Sequence, residues 1–172
     1  MTKYLLAIIL FFEINSINFA QPDLSLILGE AEKCESIKDD TILEWIGYKW
    51  TRAKLLPEEF GNSINKIDTL YFINQFNSSG IFGKGYIASS SKKISYEYFD
   101  NKILKIDTCF LSLEMILAIN EWNETFIKQR SKYLKLSSPR YKAFYNVSVV
   151  RVVIKNDTLQ TSCFDFQWPD IN

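Results

Sequence analysis

Between residues 67 and 109 the chain reads as four short apolar runs divided by very short turns, and this spacing limits the fold more than any other feature. The runs are Ile67–Phe76, Ile81–Ala88, Lys93–Phe99 and Lys102–Cys109. Asn77-Ser78-Ser79-Gly80, Ser89-Ser90-Ser91-Lys92 and Asp100-Asn101 separate them. Runs rich in Ile, Tyr and Phe, bounded by Gly, Asn, Asp and Ser, have the signature of strands. A parallel crossover needs a dozen or more residues, so connections this short force an antiparallel meander. The device recurs at 143–167, where Ala143–Lys155, the turn Asn156-Asp157 and Thr158–Gln167 predict a hairpin.

Helical periodicity fills the rest. Asp23 stands where a cap belongs ahead of Leu24, Ile27, Leu28 and Ala31, which predicts a helix to about Ile37. Thr41-Ile42-Leu43-Glu44 has capping-box spacing and predicts a short second helix ended by Gly47. Tyr48 to Ala53 then reads as a strand, and Leu55 to Asn65, with Pro57, Gly61 and Asn62, as a loop or a short turn of helix. Met115, Ile119, Trp122, Phe126 and Tyr133 predict one long helix from about Ser112 to Leu136, its aromatic stripe facing the core. The expected class is α+β. An antiparallel meander and a C-terminal hairpin form an open sheet or a partly closed barrel, packed on the long helix beside the N-terminal helices.

The first twenty residues carry an address. Lys3, the apolar run Tyr4–Phe12, the polar stretch from Glu13 to Asn18 and the small residue Ala20 follow the pattern of a cleaved signal peptide. A membrane span centred there would bury Glu13 at a cost of roughly 2.5–3.5 kcal/mol, and its apolar run falls short of the about twenty residues a span needs. The first cysteine, Cys34, follows Ala31-Glu32-Lys33, which is no lipid-attachment signal. Residues 21–172 are therefore expected as a single domain, secreted or periplasmic, with no stable membrane span after cleavage. Four Asn-x-Ser/Thr sequons, at Asn77, Asn123, Asn146 and Asn156, matter only in a eukaryotic secretory route.

The residue inventory removes much chemistry. There is no histidine, hence no Ser-His-Asp or Cys-His nucleophile and no imidazole metal ligand. Carboxylate, tyrosine and lysine chemistry survive. Twenty basic residues balance twenty acidic ones, so no global field draws the chain to nucleic acid or to a membrane. In an oxidising compartment, three cysteines make one disulfide and one free thiol the simplest arithmetic, with three free thiols as the alternative. Cys109 and Cys163, each in or at the end of a predicted strand, form the better candidate pair, whereas Cys34 falls on a helix's apolar stripe.

Other motifs weaken in context. Gly83-Lys84-Gly85-Tyr86-Ile87-Ala88 spells a dinucleotide fingerprint, but that motif works only between a strand and a helix. Here it lies within a strand, where glycines permit a bulge or a close approach. Ser89-x-x-Lys92 and Ser90-x-x-Lys93 have serine–lysine spacing without the companion elements of penicillin-recognising enzymes. The pairs Asp39-Asp40 and Glu58-Glu59 read as solvated turns and helix starts. No catalytic residue, metal ligand or cofactor site is expected. One charge feature persists: Thr125 to Asn156 holds no acidic residue, while Lys128, Arg130, Lys132, Lys135, Arg140 and Lys142 form a basic segment able to meet an acidic partner or envelope surface.

Gly47-Tyr48-Lys49-Trp50, Phe76-Asn77-Ser78-Ser79-Gly80-Ile81-Phe82 and Tyr98-Phe99-Asp100-Asn101-Lys102-Ile103-Leu104 together resemble small exported lipocalin-like domains, over roughly residues 42–107. That family carries a Gly-x-Trp in its first barrel strand and a Phe–Gly–Phe hairpin. The resemblance implies an apolar cavity lined by aromatics and no catalytic machinery. The function expected is a non-enzymatic exported binding module for a small apolar molecule or an envelope component. The alternative is a protein-interaction, inhibitor or envelope assembly module acting through the basic segment 128–142.

Overall fold

The computed structural model describes residues 23–36, 46–76, 82–99, 102–107, 109–137, 144–155 and 158–169. The signal segment, Asp39-Asp40, Arg140 and Lys142 lie outside them. Helices α1 (Leu24–Ser36) and α2 (Ile46–Phe60) and a 3-10 turn (Gly61–Lys66) precede four strands. These are β1 (Thr69–Phe76), β2 (Phe82–Ala88), β3 (Lys93–Phe99) and β4 (Lys102–Ile106). Helices α3 (Leu113–Asn120) and α4 (Glu124–Ser137) follow, then β5 (Phe144–Lys155) and β6 (Thr158–Pro169). The strands form one antiparallel sheet in the order β4-β3-β2-β1-β5-β6. The meander and the hairpin are both present, joined because β5 pairs with β1. Of the two closures expected, the sheet is open, with β4 and β6 as its edges.

Helices pack on both faces of the sheet, because successive residues of a strand point to opposite sides and each face carries its own apolar set. Leu70, Phe72, Ile87, Tyr96, Val150 and Val152 meet Ile27 and Ala31 of α1 and Leu55, Leu56 and Phe60 of α2. On the other face, Ile73, Tyr86, Val147, Val149, Phe164 and Trp168 meet Met115 and Ile119 of α3 and Ile127 of α4. A strand buried on both sides loses its polar alternation, which is why β5 reads Val147-Ser148-Val149-Val150.

Three expectations are corrected. First, residues 48–53 are helix rather than strand, and over residues 55–65 the helical alternative holds, with α2 running to Phe60 and the 3-10 turn to Lys66; the Gly47–Trp50 segment therefore lies in α2, and Pro57 sits inside that helix. Thr51, Arg52, Leu55, Leu56 and Phe60 are buried, a helical stripe that the polar Thr51 and Arg52 hide from a reading of apolar residues alone.

Second, the long helix breaks in two. Trp122 adopts a left-handed backbone, φ 57°. The Trp122 N–H donates to the Ile119 carbonyl and the Asn123 N–H to the Ala118 carbonyl, both at 2.9 Å. This is the Schellman closure, which glycine usually provides. Asn123 then starts α4 by accepting the Phe126 N–H through its side chain at 3.1 Å. The Trp122 ring is held edge-on to Phe164, 4.9 Å between centroids, with the Arg151 guanidinium 4.3 Å from its centre. Those contacts offset the strain of a bulky residue in this conformation.

Third, the disulfide joins Cys34 to Cys163, with Cα atoms 6.0 Å apart, and Cys109 is free. The expected Cys109–Cys163 bridge is ruled out by strand order. Cys109 follows β4 at one edge and Cys163 lies in β6 at the other. Five strand spacings of about 4.8 Å put roughly 24 Å between those edges. Cys163 instead shares the α1 face of the sheet with Cys34.

Candidate functional site

The described surface is hollowed where β2, β3 and β4 lie beside Asp107 and residues 109–112. Two adjoining hollows, of about 450 Å³ and 320 Å³, share Ile106 and Cys109 in their walls. The larger is rimmed by Lys92, Lys93 and Lys105 with Glu59 and Asp107, over a floor that includes Tyr86 and Ser95. The smaller is walled by Phe110 and Leu111 and by the Lys84–Glu97 ion pair, 3.3 Å across neighbouring strands.

Register explains the floor. Tyr86 of β2, Ser95 of β3 and Ile106 of β4 stand in one cross-strand row on the α3–α4 face. The helices cover β1, β5 and β6, leaving the β3–β4 end of this face uncovered, and there Leu104 and Phe99 are about 60% exposed. The apolar wall of the hollow therefore continues as an apolar surface.

Glu59, at the end of α2, organises the rim. Its carboxylate accepts from Lys92 at 2.8 Å and from Lys105, and Lys92 also donates to its backbone carbonyl at 2.6 Å. Two lysines are thereby committed to one acid. Lys93 is exposed and forms no ion pair among the described residues.

The floor is uncharged near neutral pH. Burial pushes the Cys109 thiol above its ordinary value, against hydrogen bonds from the Leu111 and Phe110 N–H groups and from Ser95. A thiolate, not a thiol, is the nucleophile. Burial, with Cys109 beside it, pushes the Tyr86 phenol up to about 12. Such a site offers neutral hydrogen-bonding groups and apolar surface under a rim of three lysines and two carboxylates.

The residues marked out in the sequence are scattered. The Ser89 hydroxyl accepts the Lys92 N–H at 3.1 Å and closes its own turn, while the Lys92 ammonium faces Glu59. Serine and lysine therefore do not form a catalytic pair. Gly83 and Gly85 are covered by the rings of Tyr98 and Tyr96, their partners on β3, a close approach within a sheet and not a phosphate loop. In the basic segment, Lys128 pairs with Glu124 at 3.1 Å and Arg130 reaches Glu114 at 3.7 Å. Lys132 is exposed, and Lys135 lies in α4. Among the described residues, no three potential metal-ligating side chains gather, and no helix is long and apolar enough to cross a membrane.

Sequence reasoning missed the cleft because its walls come from segments far apart in the chain. Four cleft residues carry other readings in the sequence: Cys109 as half of a disulfide, Lys92 and Lys93 in serine–lysine spacing, and Glu59 in a carboxylate pair. Comparison with protein-family models, curated proteins and solved structures finds no match to this chain.

Proposed function

We propose that this protein is an exported, non-enzymatic binding module whose cleft takes a small molecule with an apolar body and an anionic group. One observation carries the reading: a rim of three lysines and two carboxylates, with Lys93 outside any ion pair of the described residues, stands over a neutral floor that runs into exposed apolar surface at Leu104 and Phe99. Ligand sites are hollows of this size, mostly apolar with a few placed polar groups. The protonated Cys109 and Tyr86 favour holding a ligand over attacking it. The Cys34–Cys163 bridge suits an oxidising compartment, which agrees with reading residues 1–20 as an export signal.

The test is titration of the mature chain with dodecanoate and with dodecyl maltoside, followed by calorimetry. Dodecanoate is expected to bind at one site, at least tenfold tighter than the neutral probe. Lys93→Glu and Ile106→Asp should each weaken it tenfold or more. Binding of neither probe, or binding indifferent to both substitutions, would overturn the reading.

A second reading places the function on the exposed side of α3 and α4. Leu117 and Tyr133 are more than half exposed there, beside Lys132. An acidic protein partner would suit it, and its binding would weaken with salt.

A further inference from the structure

The two edges of the sheet are built differently. β4 is five residues long and carries Lys102 and Lys105, the short, charged form by which proteins keep an edge from pairing with another chain. β6 runs for twelve residues, with no lysine or arginine and its one proline at the last position. All of β6 pairs inward with β5, and among the described residues no strand lies on its outer side. Asp165 is the one charged residue in it.

The helices cover this strand by halves. On the α1 face, Leu159 and Cys163 pack against the α1 core, Cys163 also through its bridge to Cys34. Asp165 and Gln167, farther along the same face, are exposed. On the other face Phe164, Phe166 and Trp168 are buried with Ile127 of α4, and the Ser131 hydroxyl of α4 donates to the Gln167 carbonyl. Thr158 and Gln160, earlier along that face, are exposed. Each helix therefore stands over one half of β6, and the two halves lie on opposite faces.

We propose that β6 is a self-association edge, to which a second copy of this chain adds its own β6, antiparallel, about a two-fold axis near Cys163. A two-fold normal to the sheet keeps each face on its own side and exchanges the two halves of the strand. It sets the half covered by α1 against an uncovered half of the second copy, and does the same for α4. On either face the helices of the two copies are then staggered rather than opposed. Centred on Cys163, Asp165 opposes Thr161 of the partner subunit, and Phe166 opposes Gln160 of the partner subunit. No like charges meet, since β6 has only the one. Strand addition takes its affinity from main-chain hydrogen bonds made along the edge. The cleft stays open, because it lies beside β4 at the opposite edge.

The test is sedimentation of the full mature chain, disulfide intact, across the micromolar range, with peptide-resolved hydrogen exchange above and below the association midpoint. A closed species of twice the chain mass is expected, in which residues 158–168 exchange more slowly and residues 102–106 exchange as before. Gln160→Lys combined with Ser162→Lys should weaken association at least tenfold while the bridge and the circular dichroism spectrum are kept. Gln160→Lys alone, at an exposed position, should act in the same direction, and Leu104→Asp at the other edge should leave association unchanged. Four results would overturn the proposal: a monomer throughout that range, association lost in Leu104→Asp but not with the lysines, open-ended growth beyond the dimer, or a monomer whose edge takes up a free peptide of the 158–168 sequence instead of a second copy.

Discussion

Replacing Gly85 by alanine should be among the most damaging single-methyl changes in this protein, and replacing Tyr96 as well should erase the effect. A Cβ at Gly85 would fall closer to the Tyr96 ring than the 3.0 Å that real Cβ contacts respect. Carbon atoms prefer 3.5–4.0 Å, so the ring must retreat by about 1 Å or more. Tyr96 is fully buried, and its hydroxyl holds Asn74, so retreat overpacks one side and breaks a buried hydrogen bond on the other. Overpacking costs about 1–3 kcal/mol. The orphaned pair costs about 1–3 kcal/mol more. Against this, alanine reduces the unfolded chain's freedom by about 0.4–1 kcal/mol. The expected net loss is about 1–5 kcal/mol, near 3 at the middle of each range.

Tyr96→Ala alone should cost about 3–5 kcal/mol as a buried aromatic truncation. Once the ring is gone, Gly85→Ala meets nothing and should be neutral or slightly stabilising. The double variant is then no worse than Tyr96→Ala, giving a coupling of about 3 kcal/mol, at the top of the range for residues in contact. Urea unfolding followed by tryptophan fluorescence, disulfide intact, measures all four corners. Additive losses, or a Gly85→Ala variant within about 0.5 kcal/mol of the parent, would refute the reasoning, because either would mean that the ring does not lie on the glycine.

Three further outcomes are expected. Trp122→Gly should be more stable than Trp122→Ala by about 1 kcal/mol, reversing the usual helix order, since glycine relieves the left-handed backbone that alanine must still adopt; urea midpoints of the two variants decide it. Non-reducing peptide mass spectrometry should find Cys34 linked to Cys163 and Cys109 open to alkylation, and Cys163→Ser should cost about 2–5 kcal/mol, because the bridge closes a 129-residue separation. Stability should fall as pH rises from about 10 toward 12: Tyr86 and Tyr98 hold their protons up to about 12 in the fold and release them near 10 when unfolded, so that contribution is complete below pH 10, and urea midpoints across this range should decline less in Tyr98→Phe.

The sheet was legible because turn chemistry and run length act locally. Lys93–Phe99 is a strand over the residues its composition marks, and the other runs differ from the observed strands by a few residues at their ends. The N-terminal helix was legible for the same reason, with Asp23 accepting the Ser25 N–H at 2.8 Å. The long helix was not, because its break depends on a residue that periodicity counts as continuous. Trp122 keeps the helical spacing from Ile119 to Phe126, yet the backbone turns left-handed there so that its ring can sit between Arg151 and Phe164. Arg151 and Phe164 decide what residue 122 does, and no window of sequence around 122 contains them.

The same reasoning explains why cysteine pairing and binding surface escaped the sequence. Pairing two cysteines from strand positions assumes that the strands are neighbours, but β5 inserts beside β1 and carries β6, with Cys163, to the edge opposite β4. That single choice of neighbour also leaves the β3–β4 end of one face uncovered, because α3 and α4 follow β5 and β6 across the sheet. The free Cys109, the open hollows above Ile106 and the exposed Leu104 are therefore three consequences of one topological fact. Strand order places Cys109 in the cleft and gives Cys163 its partner on α1, so the two assignments stand or fall together: a Cys109–Cys163 peptide in the mass spectrum would remove the cleft along with the bridge.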